Sequence, residues 1–302
     1  MITPEHPAVD TVVATAARLG ECPVWSGSEQ VLYWVDIDGR AVHRYDPSSG
    51  RDLIQTTPGR PGAVALTEVA GRLLLASEQQ VGWFSWQDGG FEPWLDLEPA
   101  GTGNRLNDGR CDPNGRFWVG SMFERPAEQR FTGMLHRVDP DGTHTVARRE
   151  VGISNSLAFS PDGLTMYWAD TLRATIWAHD YDVASGEPGP PRVFADFADL
   201  PGSPDGACVD STGALWVACV HGAAVARFTP AGGLDRLLAL PVDKPSMPAF
   251  GGRELDTLFV TSIGDADSAS APSQSAWGGR LLALDPGARG LAEPVFASSR
   301  PT

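Results

Sequence analysis

The residues with the most chemistry to offer carry oxygen and share one position. Glu21 precedes Cys-Pro-Val, Asn107-Asp108 precede Gly-Arg-Cys, Asn155 precedes Ser-Leu-Ala, and Asp205 precedes Gly-Ala-Cys. Each stands just before a short apolar run that reads as a strand. Glu21 and Asp205 bring charge, while Asn155 and Asn107 bring neutral oxygens. Such a set suits one divalent cation. Calcium, magnesium and manganese favour oxygen ligands, and zinc or ferrous iron can also sit there. A single cation with open positions polarises a carbonyl and lowers the pKa of water. Asp205 is then the candidate general base. Arg105 is the candidate to bind a polyhydroxylated or anionic substrate, or to stabilise charge on oxygen. Taken singly, each Asn or Asp is also an ordinary turn former, and Arg105 an ordinary surface charge.

The elements that must position these residues repeat. SPDGLTMYWAD, DPNGRFWVGSM and DSTGALWVACV are one phrase: a short turn, a Gly able to take positive φ, and a strand with Trp or Tyr. Hairpins with the same layout start near Val24, Val64, Cys111, Leu157, Cys208 and Pro248, roughly 40 to 50 residues apart. That period, with three or four strands per unit, predicts propeller blades. The expected fold is all-β, a six-bladed β-propeller in a single domain over residues 1–302. No connection has the apolar 3.6 period of the helices a doubly wound sheet needs. Either Thr11 to Arg18 or Pro294 to Ser299 is expected to complete a blade and close the ring. In a propeller the first strand of each blade lines the central channel. Residues just before those strands therefore meet at one mouth.

Composition narrows the function classes. The 34 Gly and 25 Pro call for many turns, hence short strands. A net charge of -15 argues against nucleic acid or an anionic membrane surface as partner. The opening residues do not read as a signal peptide, and no run approaches membrane-spanning length, so a cytoplasmic protein is expected. Cys22, Cys111, Cys208 and Cys219 form no Cys-x-x-Cys pair and read as structural buried thiols. His43, His136 and His179 fall in third strands and read as partly exposed. His221 falls in a turn after a second strand. No phosphate-binding loop occurs, and Ser154 and Ser156 lack the partners of a nucleophilic serine.

Four stretches carry a family resemblance: LGECPVW at 19–25, NRLNDGRCDPNGRFWVGSM at 104–122, ISNSLAFSPDGLTMYWADT at 153–171 and SPDGACVDSTGALWVACVHG at 203–222. The chain resembles the SMP-30/gluconolactonase family over nearly its whole length. The resemblance implies one divalent metal held by Glu21, Asn155 and Asp205. It implies Asp205 as general base, and Arg105 and Asn107 against the substrate with Asn107 close to the metal-bound water. The implied reaction opens a sugar lactone, such as glucono-, xylono- or arabinonolactone, to the aldonic acid, in a monomer or weak oligomer. One departure affects the substrate. Vertebrate members carry a substrate-binding glutamate in the loop that here reads GSMFERPAEQRF, where Glu124 falls one position early and Arg125 takes its place. Glu124 remains the candidate, and loops 123–132 and 264–277 are expected to set specificity. Two alternatives stand beside the lactonase reading. One is a metal-dependent hydrolase of another ester or phosphotriester, and the other is a non-enzymatic calcium-binding propeller.

Overall fold

The repeated phrase builds the same turn each time. Asp112 Oδ1 accepts from the backbone N–H of Asn114 and of Arg116 at 2.9 and 2.8 Å, with Gly115 at φ 79°. Asp210 Oδ1 does the same for Thr212 and Ala214 at 2.9 and 3.0 Å, with Gly213 at φ 86°. A residue with a Cβ would be strained at either glycine. The strand after each turn carries a large ring into the space between sheets. Trp34, Trp118, Trp168 and Trp216 occupy equivalent second strands and are fully buried. Their indole N–H groups find partners, as Trp216 does on Asp210 Oδ2 at 2.9 Å.

The computed structural model describes residues 2–265 and 272–297. The strands form six four-stranded antiparallel sheets, so the fold is the all-β, six-bladed β-propeller expected from the repeats. The innermost strands of blades 1 to 6 are Gly20–Ser26, Pro61–Leu66, Asn104–Cys111, Ser154–Phe159, Ser203–Val209 and Pro245–Gly251. The N-terminal candidate closes the ring, over a shorter stretch than expected: Asp10–Val13 pairs with Leu281–Leu284 at the outer edge of blade 6. The C-terminal candidate crosses the far ends of the innermost strands instead. There Phe296 N–H donates to Leu66 O at 2.8 Å and Ala297 N–H to Gly115 O at 3.1 Å. Ser298 and Ser299 lie outside the described residues. Among the described residues no helix is long and apolar enough to cross a membrane.

All four cysteines are free and buried, and burial pushes each thiol up, Cys219 to about 12. They pack as small neutral hydrophobes. The histidines of the third strands correct the sequence reading. His43, His136 and His179 are buried, not partly exposed. Each has a polar partner that makes burial tolerable: Asp52 at 2.6 Å, Glu98 at 3.2 Å and the Gly189 carbonyl at 2.8 Å.

Candidate functional site at the channel mouth

Every innermost strand carries an extra residue near its start. In blade 1 the three steps from Glu21 to Val24 face only two, from Val35 to Tyr33. The same count holds from Leu106 to Gly109, Asn155 to Ala158, Pro204 to Ala207 and Pro245 to Pro248. Blade 2 has one such irregularity between Pro61 and Ala63. These β-bulges re-aim side chains out of the ladder. The polar residues therefore lie inside the first strands, not before them. The sequence reading began each strand after the bulge because the alternation breaks there. Two non-glycine residues sit at positive φ within the bulges, Cys22 at 45° and Ser156 at 56°. Such backbone is costly and needs surrounding contacts to hold it.

The bulges also tie neighbouring blades together. Val64 N–H donates to Cys22 Sγ at 3.3 Å, and Leu157 N–H to Asp108 Oδ2 at 2.9 Å. The Ser156 hydroxyl donates to the Asp205 carbonyl, and that of Ser246 to the Gly20 carbonyl at 2.6 Å. Ser246 is thereby consumed, which explains why blade 6 adds no free oxygen at this level. Blade 2 adds none because Gly62 lies against blade 3. A Cβ there would meet Leu106 O at 2.4 Å.

A cavity of about 300 Å³ opens at this level. Glu21, Arg105, Asn107, Asn155 and Asp205 all line it. Its rim adds Thr171, Ser203, His221, Lys244 and Gln129, with apolar surface from residues such as Leu19, Met122 and Ile153. Five of the six residues named as site candidates thus come together. Glu124 does not. Its carboxylate is held by Arg60 at 3.1 Å and faces a neighbouring charged cleft. Of the loop 264–277, residues 266–271 lie outside the described residues.

Hydrogen bonds fix how the amides point. Arg105 can only donate, so Asn107 turns its Oδ1 to Arg105 NH1 at 2.8 Å. Asn107 Nδ2 then donates to Ser154 O at 3.0 Å and Asn155 Oδ1 at 3.1 Å. Asn155 Nδ2 in turn donates to Thr171 Oγ1 at 2.8 Å, and that hydroxyl donates to Pro204 O at 2.7 Å. The protein thus engages both amide hydrogens of Asn107 and one of the two lone pairs of its Oδ1. It links Arg105 to Asn155 and sets both.

The cavity holds two buried carboxylates whose pKa values are both raised. Among the described residues neither Glu21 nor Asp205 has an ion-pair partner, and both are over nine-tenths buried. Burial, then the Asp108 charge, pushes Glu21 up to about 8. Burial, then the charges of Glu21 and Asp108, pushes Asp205 well above the usual carboxylate range. Burial and the nearby Arg60 lower Arg105 to about 10, which leaves it protonated at neutral pH. Among the described residues no three His, Cys, Asp or Glu side chains gather as a metal cluster. Two carboxylates with one amide oxygen nevertheless fit a hard divalent ion, whose charge would relieve their repulsion.

Sequence reasoning missed part of the rim. Lys244 is the only lysine in the chain, yet it is 3% exposed and lines the cavity. Its rarity was a readable signal. His221 also reaches the cavity, and burial, then the Lys244 charge, lowers its pKa. Gln129 falls within the loop 123–132 named from the sequence, and Thr171 carried no signal of its own.

The chain is similar to known proteins in both sequence and fold. Residues 19–264 match the family model described as SMP-30/Gluconolactonase/LRE-like region. The 6-deoxy-6-sulfogluconolactonase of Pseudomonas putida is 38% identical over 288 residues, 95% of this chain and 97% of that one. The L-arabinolactonase of Azospirillum brasilense is 36% identical, over 90% and 91%. A solved structure described as a calcium-binding protein, regucalcin, from Agrobacterium tumefaciens superposes with a TM-score of 0.90 at 27% identity. It covers 98% of this chain and 99% of that one.

Proposed function

We infer, from the premise that this chain belongs to the SMP-30/gluconolactonase/LRE-like family, that it hydrolyses a sugar lactone to the aldonic acid with one divalent cation. The observation that carries this reading is the buried pair Glu21 and Asp205, neither in an ion pair among the described residues, beside Asn155 and Arg105 in one cavity. Glu21, Asp205 and Asn155 Oδ1 would hold the ion. When bound, it would polarise the lactone carbonyl and make water more acidic. Calcium, magnesium, manganese, zinc and ferrous iron all remain compatible with the donors.

The chain's own groups supply the rest. The Asp205 carboxylate takes a proton from the attacking water, whose oxygen bonds to the carbonyl carbon. The ring C–O bond then breaks, the ring oxygen takes the proton held by Asp205 and leaves as a hydroxyl, and the aldonic acid formed releases its own proton to solvent. Arg105 donates to substrate oxygen while its NH1 stays on Asn107. Asn107 keeps Arg105 and Asn155 in register, so its part is positioning. The sulfogluconolactonase and arabinolactonase relatives bracket the substrate. A five- or six-carbon aldonolactone fits both, and Lys244 and His221 on the rim suit an anionic or hydroxylated tail.

The deciding experiment is a lactone panel on protein loaded with each cation in turn. Turnover that chelation abolishes and that E21Q and D205N lack supports the reading. Fully loaded protein that hydrolyses no aldonolactone above the buffer rate refutes it. The apolar wall of Leu19, Met122 and Ile153 favours a second reading, an aryl ester or phosphotriester substrate. Including such esters in the panel separates the two.

A further inference from the structure

The segment 124–132 forms one wall of the cavity, through Pro126, Ala127 and Gln129. It is held at both roots. Glu124 N–H donates to Gly103 O at 2.8 Å. At the other end Asn104 and Thr132 exchange two hydrogen bonds, Asn104 Nδ2 to Thr132 O at 2.8 Å and Thr132 Oγ1 to Asn104 Oδ1 at 2.7 Å. Asn104 is itself anchored, donating to the buried Glu98 at 3.0 Å.

It is also latched sideways to two other blades. Arg60 of blade 2 binds Glu124 at 3.1 Å while holding Glu78 at 3.0 Å. Arg173, just beyond the second strand of blade 4, lies 4.3 Å over the Phe131 ring and pairs with Asp170. The segment's own charges serve its outer face. Arg125 pairs with Glu128 at 2.9 Å, Arg130 with Glu128 at 2.6 Å, and both guanidiniums cover the Phe123 ring.

Gln129 lines the cavity from an exposed position on its rim. Its backbone is left-handed at φ 48°, and its N–H closes the 3-10 turn on Pro126 O at 3.0 Å. Among the described residues its side-chain amide has no hydrogen-bond partner. An amide with two donor hydrogens and a carbonyl acceptor is matched to hydroxyl groups, which donate and accept.

Resting on the lactonase reading, we propose that Gln129 is the specificity-determining residue for the hydroxyl-bearing part of the substrate remote from the reacting carbonyl. Arg60 and Arg173 are positioning residues that hold it there. This wall takes over substrate recognition from Glu124, whose carboxylate is spent on the latch. The substrate class is then a polyhydroxylated lactone, as opposed to an unsubstituted or aryl one.

The test compares the wild type with Q129L and R60M, all cation-loaded, on an aldonolactone and on δ-valerolactone, which has no hydroxyls. The preference for the aldonolactone, read as the ratio of the two KM values, is expected to fall about tenfold in Q129L, the worth of one hydrogen bond. R60M is expected to shift the ratio the same way, and kcat for the aldonolactone to change less than KM. An unaltered ratio in Q129L overturns the proposal, as does an equal loss on both lactones. If the wild type hydrolyses neither lactone, the lactonase reading fails separately. Xylitol binding by calorimetry then decides: weaker binding to Q129L than to wild type upholds the assignment, and equal heats, or none in either, overturn it.

Discussion

Thr171 lines the cavity, yet its hydroxyl is committed to hydrogen bonds within the protein. Its hydroxyl accepts from Asn155 Nδ2 and donates to Pro204 O, bridging blades 4 and 5. Replacing it with Val keeps the shape and removes both bonds. Asn155 would then lose the contact that fixes its amide orientation. Cation affinity in T171V is expected to drop about 10- to 100-fold, the usual cost of losing an outer partner of a ligand. A cation titration on the folded variant reads this, and unchanged affinity would show that Asn107 alone orients Asn155. The acids give a second expectation. Glu21 is raised from 4.5 to about 8 in the folded protein. The cation-free folded state thus holds a proton that the unfolded chain releases above about pH 4.5. Its stabilising contribution is full below that pH and is lost as pH rises to about 8. Thermal unfolding without cation should therefore move to lower temperature from pH 5 to 8, and E21Q should flatten that slope. A divalent ion should restore stability at the alkaline end.

The bulged innermost strand is the element that turns repeats into a site. The repeat phrases were legible because each turn needs an Asx or Ser acceptor and a Gly, and each following strand shows its aromatic residue. Glu21, Asn155 and Asp205 were legible because carboxylates and amides are out of place beside apolar runs. The bulges were not legible, since an extra residue looks like the end of a strand. Nor was the turning away of Glu124, because Arg60 lies 64 residues from it in sequence. The three buried histidines misled for a similar reason: their partners come from other strands or from beyond the blade. Gly62 carries the element-scale prediction. Its Cβ-less backbone lets blade 2 approach the Leu106 and Asn107 carbonyls, which a Cβ would meet at 2.4 and 2.9 Å. Backbone on both sides leaves little room to yield. G62A should push the blade 3 strand outward, destabilise the fold by about 1–3 kcal/mol as overpacking does, and lower turnover through displaced Arg105. Urea unfolding and kcat/KM measured together check this. A stable G62A with full activity would show that the strand has slack.

At the scale of the whole molecule, the ring has one seam. Blade 6 takes its outer strand from Asp10–Val13 and the other three from Pro245–Gly251, Thr257–Ser262 and Leu281–Leu284. Glu21 on blade 1 and Asp205 on blade 5 stand on either side of that blade. An ion held by both would cross the seam as a staple. Cation loading should therefore slow unfolding more than it speeds refolding, because it acts on the closed ring. Stopped-flow unfolding with and without cation reads this, and equal unfolding rates would count against the staple.

The seam also orders events during synthesis. Blades 1 to 5 are built from consecutive strands, so each can pair as it leaves the ribosome. The strand Asp10–Val13 is made first but must wait for Leu281–Leu284, more than 260 residues later in the chain. Until then it is an unpaired edge, open to pairing with other chains. Closing so long a loop is slow compared with the local hairpins. On the proposed function, Glu21 and Asp205 would share an ion only after that closure, so in a nascent or truncated chain the pair would stay unjoined, and ion uptake would report that the ring has closed.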